Sequence, residues 1–114
     1  MDFKFVYKIC TKTELLKFKK IGTFKGSKKD IEDGYIHLSD KEQLRDTLNK
    51  FFLNQKDLIL LKIETLKLDN LIYEQTSDGN MFPHLYSSLE VSNICNEYDI
   101  ESNQNGSHSL PLVF

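Results

Sequence analysis

From Leu58 to Leu61 this chain runs without a polar side chain, and Ile63 extends the run past Lys62. A short apolar run bounded by polar residues suits a central strand buried on both faces. A chain with such a strand has to supply covering elements for each side of it, and the preceding sequence offers them. Phe3, Phe5, Tyr7 and Ile9 alternate with Lys4 and Lys8 at the period of a half-buried strand. Thr11-Lys12-Thr13-Glu14 has capping-box spacing, in which a hydroxyl and a carboxylate satisfy the orphan amides of a helix start. Leu15, Phe18 and Ile21 give that helix an apolar stripe, and Gly22 predicts its end. Leu44, Leu48, Phe51 and Phe52 fall at i, i+4, i+7 and i+8, which predicts a second, amphipathic helix. Ser39-Asp40-Lys41-Glu42 repeats the capping-box spacing ahead of it.

The second half reads as strands. Leu71-Ile72-Tyr73-Glu74 is one, followed by a polar loop over 75–81; another passes through His84 towards Leu89. Asn105-Gly106 is a hairpin signal between Tyr98-Asp99-Ile100 and Leu110-Pro111-Leu112-Val113. The order predicts an α+β domain on a mixed or antiparallel sheet, with two helices in the first half. At 114 residues the chain reads as one domain over 1–114, with a core over about 6–89 and a C-terminal hairpin over about 97–113.

A 39% hydrophobic and 28% charged composition fits a soluble globular chain, and a net charge of −2 gives no general attraction for nucleic acid or an anionic membrane. Lys17, Lys19, Lys20, Lys25, Lys28 and Lys29 read as a solvated helix face and loop. Cys10 and Cys95 have no metal-binding or redox spacing and read as buried, inert thiols. The start of the sequence has no signal-peptide pattern, and no apolar run approaches the ~18 residues of a membrane span, so the expected location is cytoplasmic.

Chemistry is concentrated in two short segments, Asp33-Gly34-Tyr35-Ile36-His37-Leu38-Ser39 and Phe82-Pro83-His84-Leu85-Tyr86. Residues two apart in a strand share a face, so His37 sits with Ser39 and His84 with Tyr86. Histidine is the side chain most easily tuned near neutral pH, which makes His37 and His84 the leading candidates for acid–base work. Each has a plain structural alternative. His37 would serve as a core histidine bonded to a carbonyl, and Ser39 as a helix cap alone. Pro83 points to an edge strand and so places His84 at a rim. Glu74 ends a strand beside the loop containing Gly79, where a carboxylate would stabilise a developing cation or simply be solvated. His108, beside the hairpin turn, reads as a surface residue. There is no P-loop, GxGxxG, GxSxG or HExxH, and no histidine has a partner at zinc-ligand spacing, so no metal site is expected.

Together these segments resemble the family known as domain of unknown function 952. The resemblance is carried by Tyr7-Lys8-Ile9-Cys10, Gly22, Gly26, the Asp33-Gly34-Tyr35-Ile36-His37-Leu38-Ser39 segment, Gln43, Phe51 and Phe52. It continues through Asp57-Leu58-Ile59-Leu60-Leu61-Lys62-Ile63, Tyr73-Glu74, Gly79 and the Phe82-Pro83-His84-Leu85-Tyr86 segment. Tyr73 stands where the family usually has tryptophan, and Ser87-Ser88 where it has Gly-Pro. The family in turn is similar to members of the ADP-ribosyltransferase fold. That resemblance implies a pocket for NAD as substrate, with Tyr7, His37, Ser39 and Tyr86 binding it and His37, Glu74 and His84 catalytic. Transfer or hydrolysis of the ADP-ribosyl group is the activity it implies, with no metal required. Two alternatives stand beside it: a two-histidine phosphoesterase using His37 and His84, and a non-catalytic module for a small molecule or a protein.

Overall fold

The computed structural model describes residues 5–114; Phe3 and Lys4 lie outside the described residues. The protein is α+β, and its strands pair antiparallel throughout the described ladders. Strand β4 (Leu58–Glu64) lies between β1 (Phe5–Thr11) and β8 (Ile94–Ser102), and β9 (His108–Ser109) closes the far edge. A second ladder has the order β3 (Ile36–His37), β6 (Met81–Leu85), β5 (Leu71–Gln75). The two are linked where Ser39 bridges Tyr7, with paired bonds of 2.8 and 2.9 Å. A short pair, β2 (Thr23–Phe24) with β7 (Leu89–Glu90), sits apart.

Strand β4 is covered on both faces, as its apolar run predicts. Ile59, Leu61 and Ile63 join Val6, Cys10, Leu15 and Phe18 in one core cluster, so helix α1 (Lys12–Ile21) covers that side. Leu58 and Leu60 join Tyr7, Ile9, Leu44 and Leu48 in another, covered by helix α3 (Leu44–Phe51). Helix α1 has the expected boundaries: the Thr11–Glu14 capping box opens it and Gly22, at φ 92°, closes it. Among the described residues no helix is long and apolar enough to cross a membrane.

Several features correct the sequence reading. The polar loop after Gly26 contains a third helix, α2 (Lys28–Asp33), opened by a capping box of Ser27 and Asp30. Ser39 does not cap α3. A 3-10 turn over Lys41–Gln43 leads into α3, and its bond to the start is from the Asp40 N–H to Gln43 Oε1 at 2.9 Å. Pro83 lies in the central strand of its ladder, not at an edge. Strand β3 ends at His37, and beyond it the Pro83 carbonyl accepts from Leu38 N–H at 3.1 Å. The amide proton that proline lacks would point to the same side, where the ladder is already ending. Cys95 is exposed while Cys10 is buried. His108 is buried, its Nε2 bonded to the Gln55 carbonyl oxygen at 2.7 Å and its Nδ1 without a partner among the described residues.

Candidate functional site

Strand register brings the two histidines together. His37 on β3 pairs directly with His84 on β6. Directly opposed residues share a face, so both rings project on the same side, and their centroids are 5.8 Å apart. Register also delivers Glu74. It opposes Phe82, two residues from His84, and so lies diagonally beside His84 on that face. Glu74 Oε1 lies 2.9 Å from His84 Nδ1 and accepts from the Tyr86 hydroxyl at 2.5 Å. These two contacts, Tyr86 first, hold the Glu74 carboxyl below its ordinary range. The same bond, with burial adding to it, pushes the Tyr86 phenol up to about 12.

His84 is only 5% exposed. With Nδ1 engaged by Glu74, its Nε2 has no hydrogen-bond partner among the described residues and belongs to the residue that lines a cleft of about 1010 Å3. The ring is fixed from the other side by Tyr35, stacked on it at 4.0 Å and 20°. Tyr35 also lies 4.7 Å from the His37 ring and 5.3 Å from Tyr86. Burial, then the nearby Asp33 and Glu74 carboxylates, raise the Tyr35 phenol above its ordinary pKa and keep it protonated.

His37 is held by helix α2. Its Nδ1 is 2.5 Å from Asp30 Oδ1, and its Nε2 is 3.0 Å from Asp33 Oδ2. Asp30 is 2% exposed and serves several partners at once. Oδ1 also accepts from the His37 backbone N–H, while Oδ2 accepts from Ser27 N–H and from Lys8 Nζ at 2.8 Å. Burial alone would raise this carboxyl, but the His37 and Lys8 contacts outweigh it and hold it well below the usual carboxylate range. Lys8 is buried, against its expected place on a solvated strand face, and it also donates to the His37 carbonyl oxygen at 3.0 Å. The close packing here requires Gly26, at φ 124°: a Cβ on it would come within 2.6 Å of Asp30 Cβ.

The other expected residues are spread along the cleft. Tyr7 and Ser39 line it, both buried, with Ser39 Oγ 3.2 Å from Thr47 Oγ1. Glu74 and Tyr86 are not in the lining; they reach the site through His84. One wall is α2, another is α3, and a third is the β5–β6 loop, tied to α3 by Lys50 and Asp78 at 2.8 Å. Among the described residues no group of three His, Cys, Asp or Glu side chains is placed to hold a metal ion.

Lys8, Asp30, Asp33 and Tyr35 were not among the site residues expected from sequence. Three left a local signal: Tyr35 shares the period-2 face of His37, Asp33 stands four residues before it, and Asp30 closes a helix-start pattern. Ser27-Lys28-Lys29-Asp30 has the capping-box spacing with aspartate in place of glutamate. For Lys8 no local signal existed, because its partner is 22 residues away.

Fold and cleft together define a small α+β domain of curled antiparallel sheets whose cleft is lined by two paired strand histidines, each backed by a carboxylate. The chain belongs to the family described as Protein of unknown function (DUF952), whose sequence profile matches residues 9–97. It is similar to protein CC0527 from Caulobacter crescentus, whose crystal structure shares 39% identity with a TM-score of 0.87, over 92% of this chain and 93% of that one. A crystal structure of a double mutant of CC0527 gives 38% identity and the same TM-score and coverage. The solution NMR structure of CC0527 gives 39% identity and a TM-score of 0.80, over 90% of each chain. No curated protein matches.

Proposed function

We propose that the cleft binds NAD or a related nucleotide in the manner of an ADP-ribosyltransferase-like domain and transfers or hydrolyses its ADP-ribosyl group. The observation that carries this reading is the Glu74–His84 pair, opening onto the cleft 5.8 Å from the His37 ring. In the proposed reaction the bond between ribose C1′ and the nicotinamide nitrogen breaks, and its electron pair leaves with neutral nicotinamide. Positive charge builds on the ribose, as in glycoside cleavage. The oxygen of a water or an acceptor hydroxyl forms the new bond to C1′ and gives its proton to His84 Nε2. Glu74, at Nδ1, orients that ring and stabilises the imidazolium. In this reading His37, fixed by Asp30 and Asp33, positions the ribose or the carboxamide.

The test is release of nicotinamide from NAD, followed chromatographically, beside calorimetric titration of NAD and nicotinamide. A positioned general base contributes about 100-fold or more, so His84→Ala should slow release by at least that factor while binding persists. His37→Ala should cost affinity by roughly 1–3 kcal/mol. Absence of both binding and release at millimolar NAD would overturn the reading.

A further inference from the structure

The charges around the cleft go further than its histidines. Among the described residues its lining holds three lysines, Lys8, Lys29 and Lys50, and each is already paired with a carboxylate: Asp30 at 2.8 Å, Asp33 at 3.3 Å and Asp78 at 2.8 Å. No arginine is in the lining. Arg45, on α3, instead donates to the His108 carbonyl oxygen at 2.8 Å. Acidic side chains outnumber the lysines, because Glu42 and Asp46 line the cleft as well. A pyrophosphate is recognised by unspent cationic forks or point charges, and the described residues of this cleft have none to offer. The aromatic surface is of the opposite kind: Tyr35 is stacked with His84, with the Asp33 and Glu74 carboxylates close by. Such a surface attracts a flat, positively charged ring through its π-face and the surrounding negative potential. The almost fully buried His84, with Nε2 free of any described partner, marks where a ligand atom would complete the site.

From this we infer that the cleft selects a cationic N-ribosyl ring, the nucleoside end of such a nucleotide, and that phosphate groups contribute nothing to recognition. The inference rests on the reading of the cleft as a site for an N-ribosyl compound, and narrows its ligand from a dinucleotide to a pyridinium-type riboside.

Calorimetric titration of the full chain with nicotinamide riboside, NAD and ADP-ribose, at low and at physiological salt, tests it. The riboside should bind at least as tightly as NAD, and ADP-ribose, which keeps the phosphates and lacks the ring, should not bind detectably. Riboside affinity should fall by roughly threefold on adding salt, as screening weakens the attraction, and Asp33→Asn should weaken it further. Tenfold tighter binding of NAD or ADP-ribose than of the riboside would overturn the inference and leave the proposed activity standing. Riboside binding with no release of nicotinamide from either the riboside or NAD would support the inference and remove the activity. No binding by any of them would overturn both.

Discussion

His37 and His84 face one another as direct register partners on adjacent antiparallel strands, yet each is backed by a different carboxylate. Asp30, deep in the protein, holds His37, while Glu74, whose side chain is 40% exposed, holds His84. The two rings therefore differ in what fixes them. One is anchored in a buried ion-pair network, and the other in a carboxylate shared with a tyrosine.

Asp30→Asn should be strongly destabilising, by about 3–5 kcal/mol, because it leaves the Lys8 ammonium buried without its counter-charge. Urea unfolding at neutral pH measures this. The pH dependence has a definite sign. The Asp30 carboxyl is depressed in the folded state, so its contribution is complete above the unfolded aspartate pKa of ~3.9 and is lost as pH falls below that. Wild type should lose stability steeply in acid, and Asp30→Asn should show a flatter acid limb.

Glu74 should titrate below the ordinary glutamate value of ~4.3, observable by carbon NMR of its carboxyl. Tyr86→Phe removes the leading cause and should move that midpoint up. An unchanged midpoint in the variant would show that the tyrosine bond is not what depresses it. Any rate that needs the Glu74 carboxylate should in turn begin to fail at higher pH in Tyr86→Phe than in wild type.

Ser39→Ala should leave the start of α3 intact, because the Asp40–Gln43 bond caps that turn. The loss is one hydroxyl contact with Thr47, and a cost of about 1 kcal/mol or less is expected in thermal melts. Gln43→Ala should cost more, since its side chain both caps the turn and donates to the Met81 carbonyl oxygen at 2.6 Å. A larger loss from Ser39→Ala than from Gln43→Ala would reverse this assignment.

The two thiols should separate cleanly. Cys95 is exposed and should react with a disulfide reagent in the native protein. Cys10 is 2% exposed, and burial, with Glu14 adding to it, pushes its thiol up to about 12. It should react only on unfolding. Rapid labelling of both in native buffer would contradict the packing of β1 against α1.

What the sequence determined by itself was local. The run through Leu58 and Leu61 specified a strand buried on both faces because no polar side chain was left to face water. The Thr11–Glu14 box and Gly22 set the ends of α1, since orphan amides and a left-handed backbone are satisfied within a few residues. The faces of His37, His84 and Tyr86 followed from the two-residue period of strands. Tertiary structure decided the rest. Which strands lie side by side is a matter of pairing between distant segments, so only the fold set His37 opposite His84 and Glu74 on the diagonal. The same holds for Lys8. Its place in the alternation predicts a solvated side chain, but α2 folds over it and supplies Asp30, and a buried ammonium with its counter-charge replaces an exposed one. His108 shows the reverse limit, because a polar neighbourhood in sequence gave no sign that Gln55 would close over the ring. Periodicity and capping act over one or two turns of chain, whereas charge pairing and register act across it, and the candidate site is built from the second kind.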